Sequence, residues 1–141
     1  MINNVDIVIR LIVSAIIGAL VGYEREHYHE PAGLRTHMLV CVGATLITLV
    51  SVYGIPGGDP TRIAAAIITG IGFLGAGTII MGRGNVKGLT TAASLWAVSG
   101  IGLAIGAGFY IGSLVASVLI LIILELNRFL KLKEPPEMKD L

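Results

Sequence analysis

Between Arg62 and Arg83 the chain runs for 20 residues without a charge, and from Gly88 to Leu124 it runs for 37. A helix crossing a bilayer needs about 20 predominantly apolar residues, because hydrocarbon offers no partner to a charge or to an open backbone group. The shorter run therefore fits one crossing. The longer fits two, with the flexible Gly106-Ala107-Gly108 supplying a tight turn near its middle. Two further apolar runs precede these, Val5 to Tyr23 and Met38 to Ile55, the latter closed by Pro56-Gly57-Gly58. The pattern predicts an all-α integral membrane protein, a bundle of about five glycine-rich helices at roughly 5–23, 38–55, 61–81, 90–106 and 109–127. The bilayer is its first partner. Residues 1–130 form one transmembrane domain and 131–141 a short polar tail.

Composition agrees, with 55% hydrophobic residues, 13% charged residues and a mean hydropathy of +0.87. A net charge of +1 provides no basic surplus for phosphates, so nucleic acid is excluded as a partner. The lone cysteine, Cys41, cannot form an internal disulfide and reads as an inert core thiol.

The placement of Lys and Arg sets the expected orientation. Arg10 and Arg62 fall on one side of a five-span chain; Arg25, Arg35, Arg83, Lys87, Arg128, Lys131, Lys133 and Lys139 fall on the other. Cytoplasmic segments carry the excess of positive charge. The N-terminus is thus expected outside and the C-terminus in the cytoplasm. Met1 to Val5 lacks a basic signal-peptide start, so the first span is expected to be retained.

Local signals mark the helix ends. Asp59-Pro60 has the form of an N-cap followed by a first-turn proline, and Thr90 or Thr91 could cap the fourth span in the same way. Asp59 and Arg62 mark the expected outer face. Gly82, Gly84 and Gly88 around Asn85 predict a compact third loop, and Glu125 with Arg128 makes an i,i+3 pair.

Gly70-Ile71-Gly72-Phe73-Leu74-Gly75 has the spelling of a dinucleotide-binding fingerprint. That fingerprint works at a strand-to-helix turn, whereas these residues lie inside an apolar span, and we expect no cofactor. Packing explains the glycines better, because membrane helices associate through small residues that let backbones approach. Gly70, Gly72, Gly75 and Gly77 accordingly place the third span at the centre of the bundle.

Chemistry-bearing residues gather in the first loop: Glu24, Arg25, Glu26, His27, His29, Glu30, Arg35, Thr36 and His37. The histidines leave two readings open, a zinc site or a hydrated loop whose charges set topology. Glu24 and Arg35 flank the first two spans and are expected to pair. With Thr36, Asn85, Thr90 and Thr91 they form the candidate polar cluster. No nucleophile stands beside a base, so catalysis is not expected. The long uncharged runs provide no carboxylate for a divalent-cation path.

Five blocks in fixed order, Gly22-Tyr23-Glu24-Arg25-Glu26, Ala32 to Val40 (AGLRTHMLV), Asp59 to Ala65 (DPTRIAA), Gly70 to Gly77 (GIGFLGAG) and Gly88 to Trp96 (GLTTAASLW), resemble the MgtC/SapB family. The resemblance covers nearly the whole chain. It implies a bacterial or archaeal inner-membrane protein tied to growth in low magnesium and, in pathogens, to survival inside macrophages. It also implies action on another membrane protein, such as the rotary ATP synthase or a cation transporter. The chain resembles a short form, since long members carry a further soluble domain. The expected function is a non-enzymatic membrane regulator, self-associating as a homodimer; the alternative is a transporter or channel for magnesium or another small ion.

Overall fold

The computed structural model describes residues 2–82 and 85–126. Five helices follow the apolar runs: α1 (Asn4–His27), α2 (Leu34–Leu49), α3 (Pro60–Gly77), α4 (Leu89–Ala107) and α5 (Tyr110–Leu124). A π-helical segment, Val50–Gly54, continues α2, and together they span 21 residues. Among the described residues, four helices are long and apolar enough to cross a membrane: α1, α2 with its π extension, α3 and α4. The fifth, α5, is apolar but has 15 residues, about 22 Å of helix. Tail residues 131–141 and Arg128 lie outside the described residues.

Helix starts follow the local chemistry only in part. Asn3 and Asp59 cap α1 and α3, their side chains accepting the N–H groups of Val5 at 3.2 Å and Thr61 at 2.9 Å. Neither Thr90 nor Thr91 caps α4. Its N-cap is Gly88, held at φ +87°, and the start of the helix is instead set by a two-stranded hairpin, β1 (Ile80–Gly82) with β2 (Asn85–Lys87). The compact glycine loop is therefore a hairpin. Gly108, at φ +85°, makes the turn between α4 and α5, a conformation that suits glycine.

The centre of the bundle is α4, which packs on α1, α2, α3 and α5. Its buried stripe runs Thr91, Ser94, Leu95, Val98, Ser99, Ile101, Gly102, Ile105 and Gly106. Close approach is made by glycines of α1 and α4. A Cβ on Gly18 would lie 2.8 Å from the His37 carbonyl, one on Gly22 2.7 Å from the Leu34 Cα, and one on Gly106 2.7 Å from the Thr45 carbonyl; on Gly102 it would collide with the Cys41 carbonyl. Ile17, Val21, Cys41, Val98, Ile101 and Ile105 fill the space between these contacts.

The expected central place of the third span is overturned. Around Gly70, Gly72 and Gly77 there is open space, and only Gly75 packs, 3.5 Å from the Ala92 Cβ. Small residues permit contact without choosing the partner. Gly102 and Gly106 of α4 meet the Cys41 and Thr45 carbonyls of α2, leaving α3 at the edge with an open groove of about 460 Å³ between it and α2.

Candidate functional site

Polar side chains collect at the two ends of the bundle. At the end formed by the α1 C-terminus and the N-termini of α2 and α4, Glu24 and Arg25 are 8% and 5% exposed. The Arg25 guanidinium grips the Glu24 carboxylate with both Nε and Nη2, the latter at 2.6 Å, and lies 3.7 Å from Glu30 Oε1. Thr91, fully buried on α4, donates its hydroxyl to Glu30 Oε2 at 2.8 Å. One network thus ties α1, the following loop and α4 together. Two charges this deep demand partners, since an unpaired buried charge costs several kcal/mol.

Beside this network sits His37, with no solvent exposure. Its Nδ1 faces the Gly33 carbonyl at 2.9 Å and its Nε2 faces Ser94 Oγ on α4 at 2.9 Å. Glu26 accepts the Leu34 N–H at 2.8 Å, so a carboxylate occupies the positive N-terminal end of α2 that Gly33 leaves without a side-chain cap.

The expected Glu24 and Arg35 pair is not formed. Arg35 is exposed on the outside of the first turn of α2, and Glu24 is already held by its neighbour Arg25. The structure joins Glu24 and Thr91 through Arg25 and Glu30, but it leaves out the other expected members of the cluster. Asn85 and Thr90 are exposed, and Thr36 lies in a shallow pocket with Ala32, Phe73 and Thr78. Arg25, Glu30 and His37, named among the polar residues of the first loop but left outside the candidate cluster, are brought to the site by the structure, together with Ser94. A signal existed, since Arg25 continues the Gly18 and Gly22 face of α1 by another turn, and His37 precedes Cys41 by four.

His27, the last residue of α1, and His29, in the loop after it, are exposed and apart from His37, and no group of three or more His, Cys, Asp or Glu is placed to hold a metal ion among the described residues. The fingerprint-like glycines lie in the interior of α3, with helix rather than strand before them.

At the opposite end Arg10, 7% exposed, pairs with Asp6 at 2.7 Å and donates to the Gly106 carbonyl at 2.7 Å. Its guanidinium lies 5.4 Å from the Tyr53 ring and 5.3 Å from the Tyr110 ring, and Tyr110 donates to Asp6 at 3.1 Å. Asp59 and Arg62 are exposed nearby in sequence to the π-helical segment. The Thr61 hydroxyl and backbone N–H hold the Asp59 carboxyl below the usual carboxylate range.

The MgtC family profile matches residues 11–132. The chain is 44% identical over 128 residues to the putative magnesium transporter YhiD of Escherichia coli strain K12, covering 85% of this chain and 60% of that protein. It is 46% identical over 114 residues to protein MgtC of Salmonella typhimurium strain LT2, covering 81% of this chain and 49% of that protein. Against protein MgtC of Brucella abortus the figures are 45% over 113 residues, 80% and 48%. The chain spans between about half and three fifths of the length of these relatives. No solved structure is significantly similar.

Proposed function

The chain belongs to the MgtC family, and from that membership we propose a non-enzymatic regulator of the bacterial or archaeal inner membrane, serving adaptation to low magnesium through lateral contact with another membrane protein. The groove between α2 and α3 carries this reading. It is lined by Gly43, Ala44, Ala66, Gly70 and larger aliphatic residues, a surface that accepts a helix. The carboxylates, by contrast, are engaged as structural partners: Glu24 and Glu30 with Arg25, Asp6 with Arg10, and Glu26 and Asp59 with helix N-termini. The partner belongs to the class of the rotary ATP synthase or a cation transporter, and two copies of the chain associate. All five helices cross the membrane with the Arg25 network on the cytoplasmic side, following the distribution of Lys and Arg.

Reconstitution in liposomes containing a magnesium-sensitive dye tests this function. A regulator gives no flux above protein-free vesicles. A magnesium gradient dissipated by the protein would overturn it and establish the second reading, transport, which the name of the Escherichia coli relative, putative magnesium transporter YhiD, favours. Alkaline phosphatase fused after Lys139 should be inactive in cells; activity there would reverse the orientation.

A further inference from the structure

Two cavities meet at Leu74, which lines both. One is the groove between α2 and α3, about 460 Å³, walled by aliphatic side chains and by Gly43, Ala66 and Gly70. The other, about 380 Å³, lies at the Arg25 end of the bundle, between the first turn of α2 and the last turn of α3. Ala32, Phe73 and Leu95 give it an apolar floor, while Thr36 and Thr78 bring hydroxyls to it. Ala32 and Leu95 pack with Ile71 and Val40 of the groove, so one floor continues into the other. Together they make a trough that is polar at its mouth and apolar along its length.

The mouth is also positively charged. Arg35, beside Thr36, is exposed, and so is Lys87, which precedes Gly88, whose carbonyl lies 3.4 Å from Thr78 Oγ1. Neither cation is in an ion pair among the described residues. No charged side chain lines either cavity, and Glu26, at the start of α2, is taken by the Leu34 N–H. The next two N–H groups of α2, those of Arg35 and Thr36, have no carbonyl of their own helix to bond. From the mouth the trough follows α2 from Thr36 to Ile47, about 16 Å, and α3 from Gly77 back to Ile63, about 21 Å. One leaflet of a bilayer whose hydrocarbon is about 30 Å thick is about 15 Å deep.

From this arrangement we propose that the trough binds one anionic phospholipid of the adjoining leaflet, its phosphate held at the mouth by Arg35, Lys87 and the Thr36 hydroxyl and one acyl chain laid along the α2–α3 groove. Basic pockets between membrane helices select anionic headgroups. A soluble phosphate matches the mouth but has no use for the groove, and a partner helix fills the groove but has no use for the cations; a phospholipid matches both. The inference goes beyond the regulatory reading and does not depend on it. A partner helix that enters the groove displaces the acyl chain.

Native mass spectrometry of the full chain released from detergent, after addition of phosphatidylglycerol or of phosphatidylcholine with the same acyl chains, tests this. One phosphatidylglycerol should stay bound per chain, with an affinity about tenfold or more above that of phosphatidylcholine. Changing Arg35→Glu and Lys87→Glu together should abolish the preference. Gly43→Leu, which enters open space in the groove, should weaken both lipids. Equimolar glycerol phosphate, the headgroup end without chains, should displace neither. In the unsubstituted protein, phosphatidylglycerol with a diazirine on its acyl chain should label α2 and α3 on illumination. Equal affinity for the two lipids, undiminished phosphatidylglycerol binding in either variant, displacement by glycerol phosphate, or labelling confined to other helices would each overturn the proposal. These measurements involve neither a partner nor a magnesium gradient, so their failure leaves the regulatory reading standing, and magnesium flux would leave the lipid site standing.

Discussion

Nη1 of Arg10 donates to the carbonyl of Gly106 at 2.7 Å, across 96 positions of sequence. The last carbonyls of a helix have no partner within it, and a cation there also complements the helix dipole. Arg10 thus closes the α4 C-terminus from α1, with Tyr53 and Tyr110 stacked about the guanidinium. Arg10→Ala should lower stability by about 1.5–3 kcal/mol, the range for hydrogen bonds to a charged group. Arg10→Lys should recover part of it, because an ammonium keeps the charge without the planar fork. Thermal unfolding in detergent, followed by circular dichroism, measures both.

Arg25 and Arg35 should behave oppositely. Arg25→Ala leaves Glu24 buried without its cation, at a cost of about 3–5 kcal/mol. Arg35 is exposed, so Arg35→Ala should change stability by less than about 0.5 kcal/mol. A double change of Glu24 and Arg25 to Gln and Met should be milder than Arg25→Ala, since no uncompensated charge remains. Equal loss in Arg25→Ala and Arg35→Ala would contradict the buried pair.

The glycines separate in the same way. Gly102→Ala sets a methyl against the Cys41 carbonyl and should destabilise by about 1–3 kcal/mol through overpacking. Gly70→Ala and Gly72→Ala enter open space and should leave stability unchanged or raise it by up to about 1 kcal/mol, from helix propensity. Where folding is unaffected, loss of growth in low magnesium on substituting Gly70 with Leu would mark the α2–α3 groove as the contact surface.

Asp59 gives a pH dependence with a definite sign. Its carboxyl is held below the ordinary range by Thr61, so its contribution to stability is complete above about pH 4 and is lost as pH falls through the lower folded value. Asp59→Ala should therefore melt at a lower temperature than the parent at pH 6, with the difference shrinking toward pH 3. A difference constant with pH would show that the ionised cap is not responsible.

The apolar runs alone determined the number of helices and placed their ends to within four residues, counting the π-helical segment with α2, because span length follows from uncharged stretches and from breakers such as Pro56-Gly57-Gly58 and Gly108; α1 instead runs on to His27, α2 starts at Leu34, and α3 stops at Gly77, ahead of β1. The Asp59-Pro60 helix start was equally local, a carboxylate two residues from the N–H it accepts. Which helix lies at the centre was not determined in this way. Glycine stripes on α3 and α4 look alike in sequence, and only packing distinguishes Gly102, pressed on the Cys41 carbonyl, from Gly70, with nothing beside it. The polar end shows the same division. Its location at the α1–α2 loop was legible from composition, but the pairing of Glu24 with Arg25 rather than Arg35, and the meeting of His37 with Ser94 across 57 positions, depend on the rotation of α1 and α2 about their axes. That rotation is set by where backbones can approach, a property of two surfaces together and of neither sequence segment alone.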